Sequence, residues 1–150
     1  MIEVKTYRPD EIPDERLTYA VIAARYQNKW LFCRHKKRAT WEIPGGHRES
    51  GEHILHAAER ELYEETGALS FRLTQLCVYS AESERGIGYG MLYLAEIFVL
   101  GDLPAEFEIG EVSLFDSVPE KLTYPEIQGA LFVSVLKLLD LKDEIATVNI

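Results

Sequence analysis

Apolar, β-branched and aromatic residues are concentrated in two runs near the start of the chain, Leu17 to Tyr26 and Lys29 to His35. Runs of this length and composition predict β-strands, and the Gln27-Asn28 pair between them suits the tight turn of a hairpin. A shorter run, Thr40 to Ile43, predicts a third strand. This strand is expected to stop at Pro44-Gly45-Gly46, where a proline and paired glycines favour a turn.

The segment that follows has helical rather than strand spacing. Ile54, Leu55, Ala58 and Leu62 form an apolar stripe with i, i+4 spacing that faces away from a set of glutamates. This pattern predicts an amphipathic helix that packs through its apolar stripe. Gly67 follows the last helical position and is expected to act as a C-terminal glycine cap.

The second half of the chain again predicts strands followed by a helix. Leu69 to Tyr79 and Gly88 to Val99 predict two longer strands, and the polar segment ESERGIG between them predicts a flexible loop that leads into a mobile glycine-rich turn. A further strand is predicted at Ile109 to Phe115. Pro125 is well placed as the first residue of a C-terminal helix. The apolar face of that helix comprises Ile127, Ala130, Leu131, Val135 and Leu138.

The order of these elements indicates an α/β fold in which helices pack on a mixed β-sheet. The chain has 150 residues, 47% of them hydrophobic and 27% charged, as is usual for a soluble globular protein. No repeat, linker or low-complexity segment interrupts it. Residues 1–150 are therefore predicted to form a single domain.

Composition also disfavours several kinds of partner. A formal net charge of −9 disfavours binding to nucleic acid polymers and to membrane surfaces, because both are polyanionic. The chain has no apolar stretch of 18 residues and no signal-peptide core, so a cytoplasmic location without membrane association is expected. Cys33 and Cys77 lie in strand-like runs without metal-ligand spacing and are expected to be buried thiols.

The predicted first helix carries three glutamates that belong together. At about 100° per residue, Glu64 lies roughly 60° to one side of Glu61, and Glu65 roughly 40° to the other, so all three leave one face of a single turn. Like charges at this spacing destabilise a helix unless a cation or an arginine offsets them. A hard divalent ion, Mg²⁺ above all, brought in with a phosphorylated substrate, would do so.

The same segment resembles the signature of the Nudix hydrolases, which cleave nucleoside diphosphates linked to another moiety. The resemblance lies in Gly46, five residues, Glu52, seven residues, and then the run from Arg60 to Gly67 (RELYEETG). Every polar and glycine position of the 23-residue signature is filled. Ala68, where the family prefers a larger aliphatic residue, is the one departure. The resemblance implies the Nudix α/β/α sandwich with a mixed sheet.

The resemblance also implies roles for individual residues. It implies a Mg²⁺ site, with Mn²⁺ as a possible substitute, whose ligands are Glu61, Glu64, Glu65 and the backbone carbonyl of Gly46. Arg60 is implied to pair with Glu52 and to fix the loop against the helix. Both signature glutamates and loop glutamates serve as the general base within the family. Glu61 or Glu64 is expected to orient or deprotonate water here, which leaves the choice between them open.

For residues outside the signature, the sequence leaves more than one role open. One of Glu106, Glu108 and Glu111 is expected to supply a further carboxylate for metal or base, and Glu108 is the one selected. Arg34 opens a basic run to Arg38 that either contacts substrate phosphates or forms a solvated loop. The remaining candidates for substrate contact are Gly45, Trp41, Tyr79 and Tyr124, of which the aromatic residues either stack on a base or ribose or simply belong to the core.

These observations lead to a first hypothesis, a Mg²⁺-dependent hydrolase that cleaves a nucleoside triphosphate, oxidised forms included, to monophosphate and pyrophosphate. The triphosphate rests on a general likeness to the MutT-like branch of the family. ADP-ribose, nucleotide sugars and dinucleoside polyphosphates remain open as substrates, and a non-catalytic nucleotide-binding module is the alternative from another class. The resemblance makes a homodimer plausible, and the tail from Leu141 to Ile150 is expected to pack on its own domain or on a partner.

Overall fold

The computed structural model describes residues 1–148, with side chains for residues 1–140, so the packing expected of Leu141 to Ile150 lies outside the described side chains. A short 3₁₀ turn, Asp14–Arg16, precedes the second strand. In chain order the strands and helices are β1 Glu3–Tyr7, β2 Leu17–Tyr26, β3 Lys29–His35, β4 Gly45–His47, α1 Ile54–Thr66, β5 Ala68–Ser83, β6 Gly86–Leu100, β7 Ile109–Phe115 and α2 Pro125–Val148.

The strands form one mixed sheet, as the order of elements predicted. Its strand order is β1-β5-β6-β2-β3-β7, and β4 pairs with β2 outside this path. The pairing of β2 with β6 is parallel, and the other named pairings are antiparallel. Neither helix is apolar enough over a sufficient length to cross a membrane, as far as the described residues extend.

The two helices cover opposite faces of the sheet. Successive residues of β2 alternate between two hydrophobic clusters, because side chains of a strand point to alternate faces. Ala20 and Ile22 belong to the cluster that holds the buried residues of α1, whereas Val21 and Ala23 belong to the cluster that holds those of α2. The expected α/β/α sandwich is confirmed by this arrangement.

Several local predictions are confirmed in detail. β2, β3 and β7 have the predicted bounds, and Gln27 and Asn28 have φ angles of 52° and 65°, as a two-residue hairpin turn requires. Gly67 adopts a left-handed φ of 82° at the end of α1, and its N–H bonds to the carbonyl of Tyr63. Cys33 and Cys77 are both buried free thiols.

The prediction for the apolar stripe of α1 is wrong at one position. Leu55 is 45% exposed, while Ala57 and Thr66 are buried instead. Leu55 and Leu62 lie at nearly the same angle around the helix axis. The exposure of Leu55 therefore reflects its place in the first turn rather than its helical phase.

The prediction for the segment around the paired glycines is also wrong. Thr40 to Ile43 forms only isolated bridges, from Trp41 to Leu122 and from Glu42 to Cys33. The strand comes instead at β4, which includes both glycines and pairs with β2. A Cβ on Gly45 would lie 2.5 Å from the backbone oxygen of Ala20, so the glycine serves close approach of two strands rather than a turn.

The flexible loop predicted between β5 and β6 is absent from the described chain. β5 extends to Ser83 and β6 begins at Gly86, so that Glu84-Arg85 alone connects a regular hairpin. β1, which the sequence patterns did not predict, pairs with β5 from Val78 to Glu82 and supports this extension. The glycine-rich segment is therefore part of β6.

Candidate active site

Three glutamates of α1 face one cavity of about 400 Å³, together with residues that precede and open β7. We call it the acidic cavity; it is lined by Glu61, Glu64, Glu65, Glu106, Phe107, Glu108 and Ile109. The structure thus brings the three predicted metal ligands of the helix beside Glu108. Glu111 does not line this cavity, because its carboxylate pairs with the guanidinium of Arg34 at 3.1 Å.

The two glycines of β4 contact two of these glutamates directly. The N–H of Gly45 donates a hydrogen bond of 2.8 Å to Oε1 of Glu65. The carboxyl group of Glu61 lies so close to Gly46 that a Cβ on this residue would overlap it. Glycine is therefore required at position 46 for Glu61 to keep its place against β4.

Burial shifts the protonation of the deepest glutamates. Desolvation raises the pKa of Glu65 to about 8, and the neighbouring Glu61, Glu42 and Glu108 add to the rise, whereas the hydrogen bond from Gly45 opposes it. Desolvation also raises the pKa of Glu61, against the effect of Arg60. Burial thus disfavours the ionised forms of both carboxyl groups, and an added cation would favour them.

This shift predicts a pH dependence of stability that depends on Glu65. A carboxyl group whose pKa is raised on folding contributes stability below its unfolded value near 4.5, and that contribution is lost as the pH rises through about 8. In EDTA, the free energy of unfolding of the wild type should therefore fall relative to Glu65→Gln between pH 5 and pH 8.5. The expected difference is roughly 4 kcal/mol, since about three pH units separate pH 5 from the folded pKa and each unit corresponds to about 1.4 kcal/mol.

Urea unfolding at a series of pH values measures this difference. Glu59→Gln, an identical change at an exposed position of the same helix, should follow the wild-type pH profile. Parallel profiles for the wild type and Glu65→Gln would show that Glu65 has no raised pKa in the folded protein.

Arg60 connects the loop, β4 and the acidic face of the helix. Its guanidinium binds Glu52 in a bidentate manner, from Nε at 2.8 Å and from Nη2 at 3.0 Å. Nη1 also donates to Glu61 at 2.9 Å and to Glu64 at 3.4 Å, and Nη2 donates to the carbonyl of His47 at 3.0 Å. The hydrogen bonds from Arg60 lower the pKa of Glu52 to about 2, so this carboxylate stays ionised.

The donor set of the acidic cavity fits a hard divalent cation, because carboxylate oxygens are the ligands such ions prefer. Within residues 1–140, however, no three acidic, histidine or cysteine side chains converge at one point as a metal-binding group. Arg60 and the N–H of Gly45 instead hold Glu61 and Glu65 through hydrogen bonds. The charge and the ligand type are suitable, and cation binding would require these side chains to adjust.

A second cavity has a volume of about 350 Å³ and is lined in part by His47 of β4. We call it the tyrosine pocket; the lining residues that matter below are Tyr19, Tyr79, Tyr89, Tyr124, His47 and Gln128. His47 follows Gly46 directly and packs edge-on against the ring of Tyr19 at 4.8 Å. β4 therefore lines the tyrosine pocket through His47 and contacts two glutamates of the acidic cavity through its glycines.

The structure separates the candidates for substrate contact. Tyr79 and Tyr124 line the tyrosine pocket, and Nη1 of Arg38 donates to the hydroxyl of Tyr124 at 3.2 Å. Trp41 instead packs edge-on against Phe115, with ring centroids 5.0 Å apart, and lines a different cavity. For Trp41 the structure therefore favours the interpretation as a packing residue.

Arg34 lies in neither of the two cavities. It donates to Glu111 and to the backbone carbonyls of His35 and Arg38, which fixes the basic turn after β3. The structure thus gives Arg34 a local structural contact rather than a place beside the glutamates. Arg38, four residues later, reaches the edge of the tyrosine pocket.

Sequence reasoning missed Tyr19, Tyr89 and Gln128 as pocket residues. The tyrosines gave no signal, since aromatic residues in strands are ordinary core residues. Gln128 gave one, because a glutamine beside Ile127 and Leu131 interrupts the apolar face of α2. A buried polar side chain at such a position needs a partner, and here the partner is the N–H of Ile43 at 2.8 Å.

Comparison with known proteins is consistent with this geometry. The family model described as NUDIX domain matches residues 16–144. A protein of Bacillus subtilis (strain 168) named "Putative 8-oxo-dGTP diphosphatase YtkD" is 34% identical over 102 residues. These residues are 68% of this chain and 64% of that relative, so the chain spans somewhat less than two thirds of the relative's length.

Solved structures share the fold. The crystal structure of the Bacillus subtilis pyrophosphohydrolase BsRppH has a TM-score of 0.80 and 28% identity, covering 93% of this chain and 90% of that chain. An ADP-ribose pyrophosphatase from Streptococcus suis has a TM-score of 0.62 and 16% identity, with 79% of this chain and 88% of that chain covered. Both structures therefore share the fold of this chain.

Proposed function

This chain belongs to the Nudix family, and from that premise we propose that it is a Mg²⁺-dependent pyrophosphohydrolase. Its substrate in this proposal is a nucleoside triphosphate, oxidised purine nucleotides included, and its products are the monophosphate and pyrophosphate. The names of the two Bacillus subtilis proteins, a diphosphatase and a pyrophosphohydrolase, support the reaction class. Hydrolases of this family act on small nucleotide substrates and generally use divalent metal ions.

The observation that carries the proposal is that β4 contacts residues of two unlike cavities. Gly45 and Gly46 lie against Glu65 and Glu61 of the acidic cavity, and His47 lines the tyrosine pocket. Burial, and after it the charges of Glu65 and Glu61, raise the pKa of Tyr19 in the tyrosine pocket, so these glutamates lie within electrostatic reach of it. One extended ligand can therefore place an aromatic base among the tyrosines and its phosphates beside the glutamates. Concave pockets with aromatic walls and few polar groups are typical of such ligand sites.

The metal ions in this proposal would be held by the carboxylates of the acidic cavity. The proposed ligands are Glu61, Glu64, Glu65, Glu108 and the backbone carbonyl of Gly46. When bound, divalent ions neutralise charge on phosphoryl oxygens and lower the pKa of a coordinated water. Arg60 is the positioning residue in this scheme, because it ties Glu61 and Glu64 to Glu52 and to the carbonyl of His47.

The chain's own contribution to the reaction is proton transfer and alignment. A water oxygen forms a bond to one phosphorus while the bridging oxygen leaves with the pyrophosphate, and the proton of the water passes to a carboxylate. Glu61 or Glu64 would accept that proton. The raised pKa of Glu61 favours this role, since a base is most effective when its pKa approaches the working pH.

A substrate panel tests the proposal. Purified protein is incubated with Mg²⁺ or Mn²⁺ and with nucleoside triphosphates, 8-oxo-dGTP, ADP-ribose, a nucleotide sugar and a dinucleoside polyphosphate. We expect a triphosphate to yield monophosphate and pyrophosphate, measured by chromatography and by pyrophosphate release, with EDTA abolishing the reaction. Preferential cleavage of ADP-ribose or a nucleotide sugar would contradict the substrate, and no product from any compound would contradict the enzyme.

A further inference from the structure

The basic turn that follows β3, residues 34–38, packs against the segment that leads into β7. The pairing of β3 with β7 shifts register between Arg34 and His35, which leaves Gly110 as an extra residue on β7. Such a bulge bends a strand and changes the direction of the backbone beside it. A Cβ on Gly110 would lie 3.2 Å from the Cα of Lys36, so the two backbones are in close contact. The basic turn therefore lies beside the residues that immediately precede β7.

Three polar contacts join the basic turn to residues 105–108, which we call the acidic loop. The backbone N–H of Lys36 donates to the carbonyl of Glu108 at 2.9 Å, and Nζ of the same lysine donates to the carbonyl of Ala105 at 2.9 Å. Nε2 of His35 lies 3.3 Å from Oε2 of Glu108. Both ends of the acidic loop are therefore bound to the basic turn.

A further contact sets the tautomer of His35. The backbone N–H of Lys37 donates to Nδ1 of the ring at 3.3 Å, so Nδ1 is an acceptor and carries no proton. In the neutral imidazole the proton then lies on Nε2, which faces the carboxylate of Glu108. His35 therefore donates a hydrogen bond to this carboxylate without needing a positive charge.

The carboxylate of Glu108 depends on such a contact for its position. The side chain is 81% exposed, so packing restrains it little. It nevertheless lines the acidic cavity, and after desolvation, the main cause, its charge is among those that raise the pKa of Glu65. His35 holds Oε2 and leaves Oε1 for a cation. Carboxylates that bind metal ions are commonly held in this way by a hydrogen bond from behind.

We propose that His35 and Lys36 are positioning residues that hold Glu108 in place for a metal ion in the acidic cavity. The inference rests on the proposed function, in which Glu108 is a metal ligand. Lys36 is itself a cation, and its charge alone opposes the binding of another cation nearby. Loss of this lysine should therefore weaken metal binding if it positions the acidic loop, and strengthen metal binding if it acts through its charge.

Mn²⁺ titrations without nucleotide, followed by the EPR signal of the free ion, test the inference. His35→Ala and Lys36→Met should each weaken Mn²⁺ binding by about 10-fold, the lower end of the range for residues that hold metal ligands. His35→Gln, whose amide can still donate to Glu108, should recover most of the affinity. Lys37→Met removes the same charge from an exposed neighbour and should not weaken binding. Binding that is unchanged in His35→Ala and unchanged or tighter in Lys36→Met would overturn the inference.

A double-mutant cycle shows whether His35 acts through Glu108. Glu108→Gln alone should weaken Mn²⁺ binding. The addition of His35→Ala should cause little further loss, because the carboxylate that His35 holds is already gone. Losses that multiply in the double variant would show that His35 acts independently of Glu108, which the inference does not allow. Urea unfolding of each variant verifies the fold.

Backbone hydrogen exchange of the metal-free protein measures the contact itself. Exchange across residues 102–109 should be faster in Lys36→Met than in Lys37→Met, because only the first variant loses the bond to Ala105. Equal exchange in the two variants would show that Lys36 does not hold the acidic loop.

These measurements separate the inference from the proposed reaction, because none of them requires turnover. Weaker Mn²⁺ binding in His35→Ala and Lys36→Met, with no hydrolysis of any nucleotide by the wild type, would retain the inference and reject the enzyme. Hydrolysis by the wild type, with Mn²⁺ binding unchanged in both variants, would retain the enzyme and reject the positioning role.

Discussion

Replacement of Glu65 by glutamine is expected to lower kcat/KM for the best nucleotide by about 10³-fold or more. The neutral amide offers one weak oxygen ligand in place of a charged carboxylate, and metal coordination supplies several kcal/mol of transition-state stabilisation. A loss of about 4 kcal/mol corresponds to roughly 10³-fold in rate. The fold should be retained, because the glutamine oxygen can still accept the hydrogen bond from the N–H of Gly45.

Steady-state kinetics with saturating Mg²⁺ measure this effect, and urea unfolding of each variant verifies the fold. Glu59→Gln makes the same chemical change on an exposed face of the same helix and should retain full activity. A variant at position 65 that unfolds at the wild-type urea concentration and turns over at near-normal rate would exclude Glu65 as a metal ligand.

Two neighbouring glycine variants should have opposite consequences. In Gly46→Ala the new methyl group overlaps the carboxyl of Glu61, the far end of a flexible side chain that can move away. We expect kcat/KM to fall by about 10²-fold, in the range known for displaced catalytic groups, with little loss of stability. In Gly45→Ala the methyl group meets the backbone oxygen of Ala20 at 2.5 Å, and a paired strand cannot move aside as cheaply.

Gly45→Ala should therefore reduce the free energy of unfolding by about 2 kcal/mol or more, as overpacking against backbone does. Urea unfolding and kinetics on both variants provide the comparison. If Gly46→Ala is as active as the wild type, the position of Glu61 against β4 is not needed for the reaction. If Gly45→Ala is as stable as the wild type, the close approach of β4 to β2 does not constrain the fold.

The parts of the fold that depend on local patterns could be predicted from the sequence. β2, β3 and their turn follow from apolar runs around Gln27-Asn28, and the end of α1 follows from Gly67. β4 could not be predicted from the sequence, because paired glycines usually indicate a turn. Only the structure shows that the backbone of Ala20 lies against Gly45. Close approach between distant segments leaves no local signal.

In the candidate site, too, the sequence predicts some parts and not others. Helical spacing alone places Glu61, Glu64 and Glu65 on one face, and the structure brings that face to one cavity. The tyrosine pocket was not predictable, since its walls come from β2, β4, β5, β6 and α2 and meet only after folding. Gln128 is the exception, because a polar residue within an apolar helical face marks a buried contact before its partner is known.

The two cavities are built from different elements, which affects how substitutions can change the substrate preference of such a protein. The walls of the tyrosine pocket come mainly from strands and from α2, whereas the acidic cavity comes from α1 and the residues around the start of β7. In the proposed function, substitutions on α2 and β6 can therefore change the preferred base while the proposed metal ligands of the acidic cavity stay unchanged. β4 contacts residues of both cavities, so Gly45, Gly46 and His47 should tolerate fewer substitutions than the residues that line the tyrosine pocket alone.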